Sequence, residues 1–390
     1  MKSNCKKLGE FIHLVDERNK NLAISNLQGV SIEKKFIPSI ANIIGTDLSN
    51  YKIVRTGQFA YGPVTSRNGD KISIALLKGE DCIISSSYTP FEVIKPDELL
   101  PEYLMMWFMR PEFDRYARYM SHGSAREVFD WECMCNVELP VPSLPEQQKI
   151  VHDYKVVTDR IELLKKINEN LEKQVYAIYK SWFEDLTPFG GVLPSTWRIA
   201  DIGTAGLDIS DGNYSSKYPS TEEFISEGIP FLRGMDFIGH FVSCENALHI
   251  SEDKHAELKK GHTKAGDILL STRGYIGNFA LISDDLIDVN INSQLVRING
   301  GKKIPRSYLL GFFLSDMTQK EIASRVTGSA QQQLPIKNLN LIRFIIPENK
   351  VLNDYDNIVS VFVDSMLNNH RTIQMLKELS SLIMNNMSKR

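Results

Sequence analysis

Ser143-Leu144-Pro145-Glu146-Gln147-Gln148-Lys149-Ile150 opens a run with no Gly or Pro until Pro188. Ser143 and Glu146, three residues apart, make a capping-box pair, and Pro145 suits a first helical turn, where its missing N–H loses no intrahelical bond. The spacing predicts a helix from this point. Beyond it Ile150, Tyr154, Val157, Ile161, Leu164, Asn168, Leu171, Val175, Ile178 and Trp182 recur at alternating steps of four and three. That is a heptad seam with one polar intruder, Asn168, at an a position, and a helix carrying it from Ile150 to Trp182 is ~50 Å long at 1.5 Å per residue. A strict seam of this length argues for a coiled-coil arm; the alternative is an ordinary long helix of a bundle.

Composition bounds the rest. The 390 residues leave room for two or three domains, and 42% hydrophobic with 24% charged residues is the balance of a globular protein. A formal net charge of −3 excludes a globally basic nucleic-acid binder, so any such binding must come from local patches. Five cysteines, Cys5, Cys82, Cys133, Cys135 and Cys244, form no CxxC pair and read as idle thiols of a reducing compartment. Residues 1 to 20 lack an apolar signal core and no apolar run approaches a membrane span, so the expectation is a cytoplasmic protein with no membrane partner.

Around the helix the chain is punctuated. Ile53-Val54, Lys71 to Leu77, Cys82 to Ser85 and Phe91 to Ile94 are β-prone runs separated by Gly, Asn, Asp and Pro. Pro101 and Pro111 open two helices, His122-Gly123-Ser124-Ala125-Arg126 is a small-residue loop, and Thr187-Pro188-Phe189-Gly190-Gly191 is a linker. After the linker the plan repeats. Tyr103 matches Tyr308, Phe108 matches Phe313, Gly123-Ser124-Ala125 matches Gly328-Ser329-Ala330 and Val141-Pro142 matches Ile346-Pro347, all at one offset of 205. Carried through the helix, the offset lays a second seam on Tyr355, Val359, Phe362, Met366, Asn369, Ile373, Leu376, Ser380, Ile383 and Met387. A tandem duplication of one domain plus one long helix accounts for this.

The Pro-rich lead-in Leu139-Pro140-Val141-Pro142 before the Pro145-Glu146-Gln147 helix entry, the domain-helix-domain-helix order, and the entry Leu193-Pro194-Ser195-Thr196-Trp197 to the second half resemble the specificity subunit of type I restriction-modification systems over essentially the whole chain. One departure is the second helix entry, Pro347-Glu348-Asn349-Lys350, which lacks the second Pro and the Gln pair. The resemblance implies an α+β fold of two globular target-recognition domains, at 1–142 and 187–347, followed by long helices at 143–186 and 348–390. It further implies that each domain reads one half of a bipartite double-stranded DNA site, and that the helices dock two methyltransferase subunits. S-adenosylmethionine would then sit on those partners, and ATP and Mg on restriction motor-nuclease subunits.

The residues themselves offer no catalytic set. There is no G-x-x-x-x-G-K-[ST] loop and no Asn/Asp-Pro-Pro-aromatic tetrapeptide for a flipped base, Gly274 and Gly277 read as turn glycines, and the eight histidines show no metal-ligand spacing. The expectation is a non-enzymatic chain with no cofactor or metal of its own. DNA contact is sought in loops, because Arg, Asn, Gln, Ser and Thr read base edges while Lys and backbone amides hold phosphates. The first half offers Tyr61, Ser66, Arg67, Asn68 and Lys71 in one loop and His122, Ser124 and Arg126 in another. The second half offers Thr272, Arg273, Tyr275 and Asn278, with Thr327, Ser329, Gln331 and Gln332 after its helices and Asn213, Tyr214 and Lys217 as weaker candidates. Arg67-Asn68-Gly69 aligns with Arg273-Gly274 as the same kind of loop tip. A protein-protein scaffold with two peptide-binding domains is the competing reading.

For a duplicated unit to close, the two long helices should run antiparallel about an approximate two-fold axis, as a coiled coil in which a faces d. That register sets Asn168 against Asn369, Ile161 against Leu376, Tyr154 against Ile383 and Trp182 against Tyr355.

Overall fold

A computed structural model describes residues 5–39, 45–66, 68–123, 126–212, 214 and 216–387. They form two compact units, Met1–Ile161 with Met375–Arg390, and Glu162–Gln374.

In the first unit Ile12–Leu14, Thr89–Val93, Phe59–Tyr61 and Ile74–Leu76 lie side by side in an antiparallel sheet. Smaller ladders join Lys52–Val54 to Cys82–Ile84, Gln28–Val30 to Phe36–Pro38, and Cys5–Lys7 to Glu138–Pro140. The strand runs expected from the sequence are therefore present. Both sheet faces are covered, which is why these runs are apolar throughout: Phe59, Tyr61, Ile74 and Leu76 enter the main core, while Ala60 and Ala75 face a second cluster with Val54, Cys82 and Ile84. Phe59 stacks on Phe91 at 4.9 Å between centroids, and Phe108 meets both edge-on. Phe108 comes from helix Pro101–Phe108, which like the next, Pro111–Met120, starts on a proline.

The central helix, Leu144–Tyr179, begins where Ser143 N and Oγ both donate to Glu146 Oε2, at 3.2 and 2.9 Å. Gln147 explains the entry motif. It is fully buried, its amide Nε2 donates to Glu98 O and Pro142 O at 2.7 and 2.8 Å, and its Oε1 accepts from Leu100 N, the residue preceding helix Pro101–Phe108. One side chain thus satisfies three backbone groups that burial would otherwise orphan. The equivalent residue in the second half is Leu352, 2% exposed, so that copy fills the place with hydrocarbon and needs no Gln. Ile150, Val151, Tyr154, Ile383, Met384 and Met387 pack on the first unit's core, so the long helices also supply domain core there.

The second unit is larger. Its six-stranded sheet runs Asp208–Asp211, Leu295–Asn299, Ile268–Ser271, Phe279–Leu281, Phe241–Val242, Phe237–Ile238, beside a three-stranded sheet of Leu248–Ile250, Ile229–Leu232 and Asn290–Ile291. Arg198–Asp201 pairs with Arg343–Ile346 as Cys5–Lys7 does with Glu138–Pro140 in the first half. After Tyr179 the central helix widens into a π-turn, Lys180–Glu184, that turns Phe183 into a buried aromatic cluster with Tyr179, Tyr308 and Tyr355. Gly311 lies under this cluster; a Cβ there would stand 2.5 Å from the Tyr179 ring.

The second long helix is Asn349–Asn386. Within this unit Asn369 Nδ2 donates to Asn168 Oδ1 at 2.8 Å, Asn168 Nδ2 donates to Met366 O at 3.2 Å, and Trp182 meets Tyr355 at 5.8 Å between centroids. The Asn168–Asn369 and Trp182–Tyr355 contacts are two of the pairs named in the expected register; the Asn168–Met366 bond is an additional one.

Candidate nucleic-acid interface

In each half one hairpin and one tight loop are sewn together by backbone bonds. In the first, Phe59–Tyr61 and Ile74–Leu76 form the hairpin, and its loop is held where Phe129 N donates to Pro63 O at 2.8 Å and Thr65 N to Glu127 O at 3.0 Å. The tight loop closes through His122 N to Val128 O and Val128 N to His122 O, at 3.1 and 2.9 Å. In the second, Leu334 N donates to Thr272 O at 2.9 Å, and Thr327 and Gln333 exchange two bonds of 2.9 Å. Both tight loops turn on a glycine of positive φ, 134° at Gly123 and 95° at Gly328. A Cβ would lie 2.2 Å from Arg126 O in one and 2.4 Å from Gln331 O in the other, so only Gly fits.

These bonds correct the loop alignment. The bridges Val64 to Val128 and Arg273 to Gln333 make Val64, not Arg67, the counterpart of Arg273. The offset is 205 from Ile74 to Phe279 but 209 from Phe59 to Ile268, so the first-half hairpin loop carries four extra residues. Arg67 itself, like Ser124 and Asn213, lies outside the described residues.

The structure divides the remaining candidates. Tyr61 is withdrawn from the surface: it is 1% exposed and packs edge-on against Phe91 and Phe129. Thr272 is withdrawn too, at 5% exposure, with Oγ1 donating to Gln294 O at 2.8 Å. Both stand where a strand enters its loop, and the tight loop folded over that point covers them. Lys71 is exposed but ion-paired to Glu33 at 2.9 Å, and Lys217 to Glu257 at 3.4 Å. Asn68 is half-buried and donates to Val64 O at 3.3 Å.

What remains is two clusters of exposed polar tips. Ser66, His122 and Arg126 stand out in the first half, and Arg273, Tyr275, Asn278, Thr327, Ser329, Gln331 and Gln332 in the second. Arg273 makes no ion pair among the described residues; its guanidinium lies 5.6 Å over the ring of Tyr214, whose hydroxyl donates to Ser293 O. The cation–π contact engages the face of the fork, and among the described residues its N–H donors meet no hydrogen-bond partner, the state that bidentate recognition of a base edge or a phosphate requires. Tyr275, 72% exposed, offers an unpaired aromatic face beside it.

Two cavities in the first half were missed by sequence reasoning. One of about 320 Å³ joins Asn68 and Arg126 to Ser87 and Tyr88. A larger one, about 800 Å³, is lined by Lys71, Arg115, Arg118 and the exposed Tyr119. The Arg-rich, tyrosine-tipped face of helix Pro111–Met120 was the available signal for the second. Nothing signalled the first, since Tyr88 is placed by the fold alone. Burial pushes the Cys82 thiol up to about 12 and the Cys244 thiol to about 11, so neither is a thiolate nucleophile near neutrality. Among the described residues no helix is long and apolar enough to cross a membrane.

Comparison with known proteins shows what the chain is similar to. A family model described as type I restriction modification DNA specificity domain fits the chain twice, over residues 4–173 and 204–372. The type I restriction enzyme MjaIX specificity subunit of Methanocaldococcus jannaschii is 26% identical over 315 residues, covering 75% of this chain and 69% of that one. The HindI specificity subunit of Haemophilus influenzae is 27% identical over 165 residues, covering 41% and 35%. Among solved structures, the S subunit of a type I restriction-modification system from M. genitalium superposes with a TM-score of 0.59 at 15% identity, covering 98% of this chain and 95% of that one, a likeness of fold.

Proposed function

Because this chain belongs to the type I restriction-modification DNA specificity family, we propose that it is the subunit that reads a bipartite double-stranded DNA site for a modification and restriction complex. Each half reads one half-site with its hairpin loop and tight loop. The observation that carries this reading is the duplicated pair of sewn loops, each pivoting on a glycine of positive φ and each presenting exposed polar tips. Two such readers on one chain suit a split site.

The long helices act as the spacer. The Asn168–Asn369 and Trp182–Tyr355 contacts support pairing of the two as an antiparallel coiled coil about a pseudo-two-fold axis, with recognition domains at 1–142 and 187–347 and helices at 143–186 and 348–390. Two methyltransferase subunits dock on that arm and bring S-adenosylmethionine; motor-nuclease subunits bring ATP and Mg. The chain works in the cytoplasm and makes or breaks no bond itself.

The test is exchange of residues 1–142 for the corresponding domain of another specificity subunit, followed by sequencing of methylated sites in cells carrying the methyltransferase partner. One half-site should change and the other stay. A change in both half-sites overturns the modular reading, and absence of sequence-selective, salt-sensitive DNA binding by the intact complex favours the scaffold instead.

A further inference from the structure

Two histidines that sequence spacing left ungrouped converge in the second unit. His255 lies on helix Glu252–Glu257 and His262 on the segment that follows, their rings 4.5 Å apart, and both face Asp288. Asp288 is held at φ 59°, a conformation that a non-glycine residue adopts rarely and at a cost.

Each ring has one nitrogen toward the carboxylate and the other toward a fixed oxygen. His262 Nδ1 is 2.7 Å from Asp288 Oδ1 and its Nε2 is 2.6 Å from Leu258 O. His255 Nε2 is 3.7 Å from Asp288 Oδ2 and its Nδ1 is 2.6 Å from Asn290 Oδ1. Without a metal the short His262–Asp288 contact is a hydrogen bond; a metal ion entering the site displaces the proton from it.

We propose that His255, His262 and Asp288 bind a divalent transition-metal ion, with Zn2+ the ion this donor set suits. Two borderline imidazole nitrogens with one carboxylate oxygen are a set that Zn2+ takes, and each ring nitrogen not facing the ion is anchored to a carbonyl or amide oxygen, the outer-shell arrangement that orients ligating histidines. The three ligand atoms lie within 4.8 Å of one another. Bonds of ~2.0–2.1 Å in a tetrahedron put ligand atoms ~3.3 Å apart, so closing the site takes a side-chain shift of about 1.5 Å or less. A water completes the fourth position on the exposed side of Asp288.

The place suits a staple. The three-stranded sheet has a small core of its own, Phe231, Ile250 and Leu258. His255 and His262 flank Leu258 in the chain, and Asp288 leads into the edge strand Asn290–Ile291. A metal here fastens the segment that caps this core to the edge of the sheet, and small cores are where such fastening contributes most.

The experiment uses the full chain stripped with a chelator and titrated with Co2+ alone, then Zn2+ alone. The expected result is one equivalent of Co2+ with tetrahedral d–d absorption, its displacement by Zn2+, and a rise in Tm with Zn2+. H255Q, H262Q and D288N should each weaken Zn2+ by more than roughly 100-fold, N290A by roughly 10- to 100-fold, and H152Q, on an exposed helix face elsewhere, not at all. Absence of tetrahedral absorption in the wild-type chain overturns the proposal whether or not the variants fold. So does Zn2+ binding that D288N and the H255Q/H262Q pair leave unchanged.

Discussion

Replacing Asn369 with Leu tests the polar layer between the long helices, and the structure assigns its cost. Asn168 is 5% exposed; its Oδ1 accepts from Asn369 Nδ2 and its Nδ2 donates to Met366 O. Removing Asn369 leaves the buried Oδ1 with no donor, while the Met366 bond holds the amide in place and prevents it from turning to water. An orphaned buried acceptor costs ~1–3 kcal/mol, a roughly 5- to 150-fold rise in the unfolding constant. The converse change is milder. Asn168→Leu frees the amide of Asn369, which is half-buried and can rehydrate, and the Met366 carbonyl keeps its own intrahelical bond. It should cost less than about 1 kcal/mol, and the double Leu variant should recover most of the Asn369→Leu loss, because replacing both polar groups removes the orphan. Urea unfolding of the four proteins, followed by fluorescence of Trp182 beside Tyr355, closes the cycle. If Asn369→Leu is no worse than Asn168→Leu, or the double variant no better than Asn369→Leu alone, the two amides do not form the layer described.

Three other perturbations follow from the same geometry. Arg273→Ala should cost ~1–3 kcal/mol in binding and relax a single base position in one half-site if its free fork reads a base; equal weakening on every sequence, with a shallower salt dependence, would make it a phosphate contact. Gly328→Ala drives a Cβ to 2.4 Å from Gln331 O and should abolish reading of one half-site, whereas Gly274→Ala, at φ 72° with open space around it, should cost only ~1–2 kcal/mol of stability; methylated-site sequencing and Tm separate the two. Burial, with Glu169 adding repulsion, pushes Glu172 up to about 7, so the folded state holds that proton longer than the unfolded chain and stability should fall as pH rises from about 4.5 to 7, then level off. Glu172→Gln should remove that slope, worth ~1–3 kcal/mol in urea unfolding at pH 8; burial lowers the pKa of His240 beside it, so no imidazolium offsets the penalty.

The architecture was legible because its signals are local or repeated. The Ser143–Glu146 pair at the helix entry, the heptad seam and the offset of 205 can all be read without knowledge of long-range packing, and the Asn168–Asn369 contact lies in the register drawn from them. The site was legible only in part. Tyr61 and Thr272 look like loop residues because each adjoins a turn, yet what covers Tyr61 is Phe129, brought from far along the chain. The extra four residues in the first hairpin escaped notice because the offset is true on one strand and false on the other, which misaligned Arg67 with Arg273. Gln147 stood in the sequence only as part of the helix-entry motif, although its amide ties three backbone groups, and Asp288 meets His262 only through the fold.

That four-residue difference shows where such a chain can change what it reads. Lengthening the stretch beyond the last hairpin pair from eight residues, 271–278, to twelve, 62–73, adds only about 0.4 kcal/mol of closure entropy. Truncating a framework aromatic such as the fully buried Phe91 costs ~3–5 kcal/mol. Variation is thus tolerated in the loops and resisted in the strands beneath them. The bonds that sew each hairpin to its tight loop, Phe129 N to Pro63 O and Leu334 N to Thr272 O, lie at the base of the variable segment rather than at its tip. Loop tips can therefore differ in length and side chains while the anchoring pair stays in register. On the proposed function, reading falls on the part of each domain that contributes least to its stability, so the two halves of one chain would recognise different sequences on one shared framework.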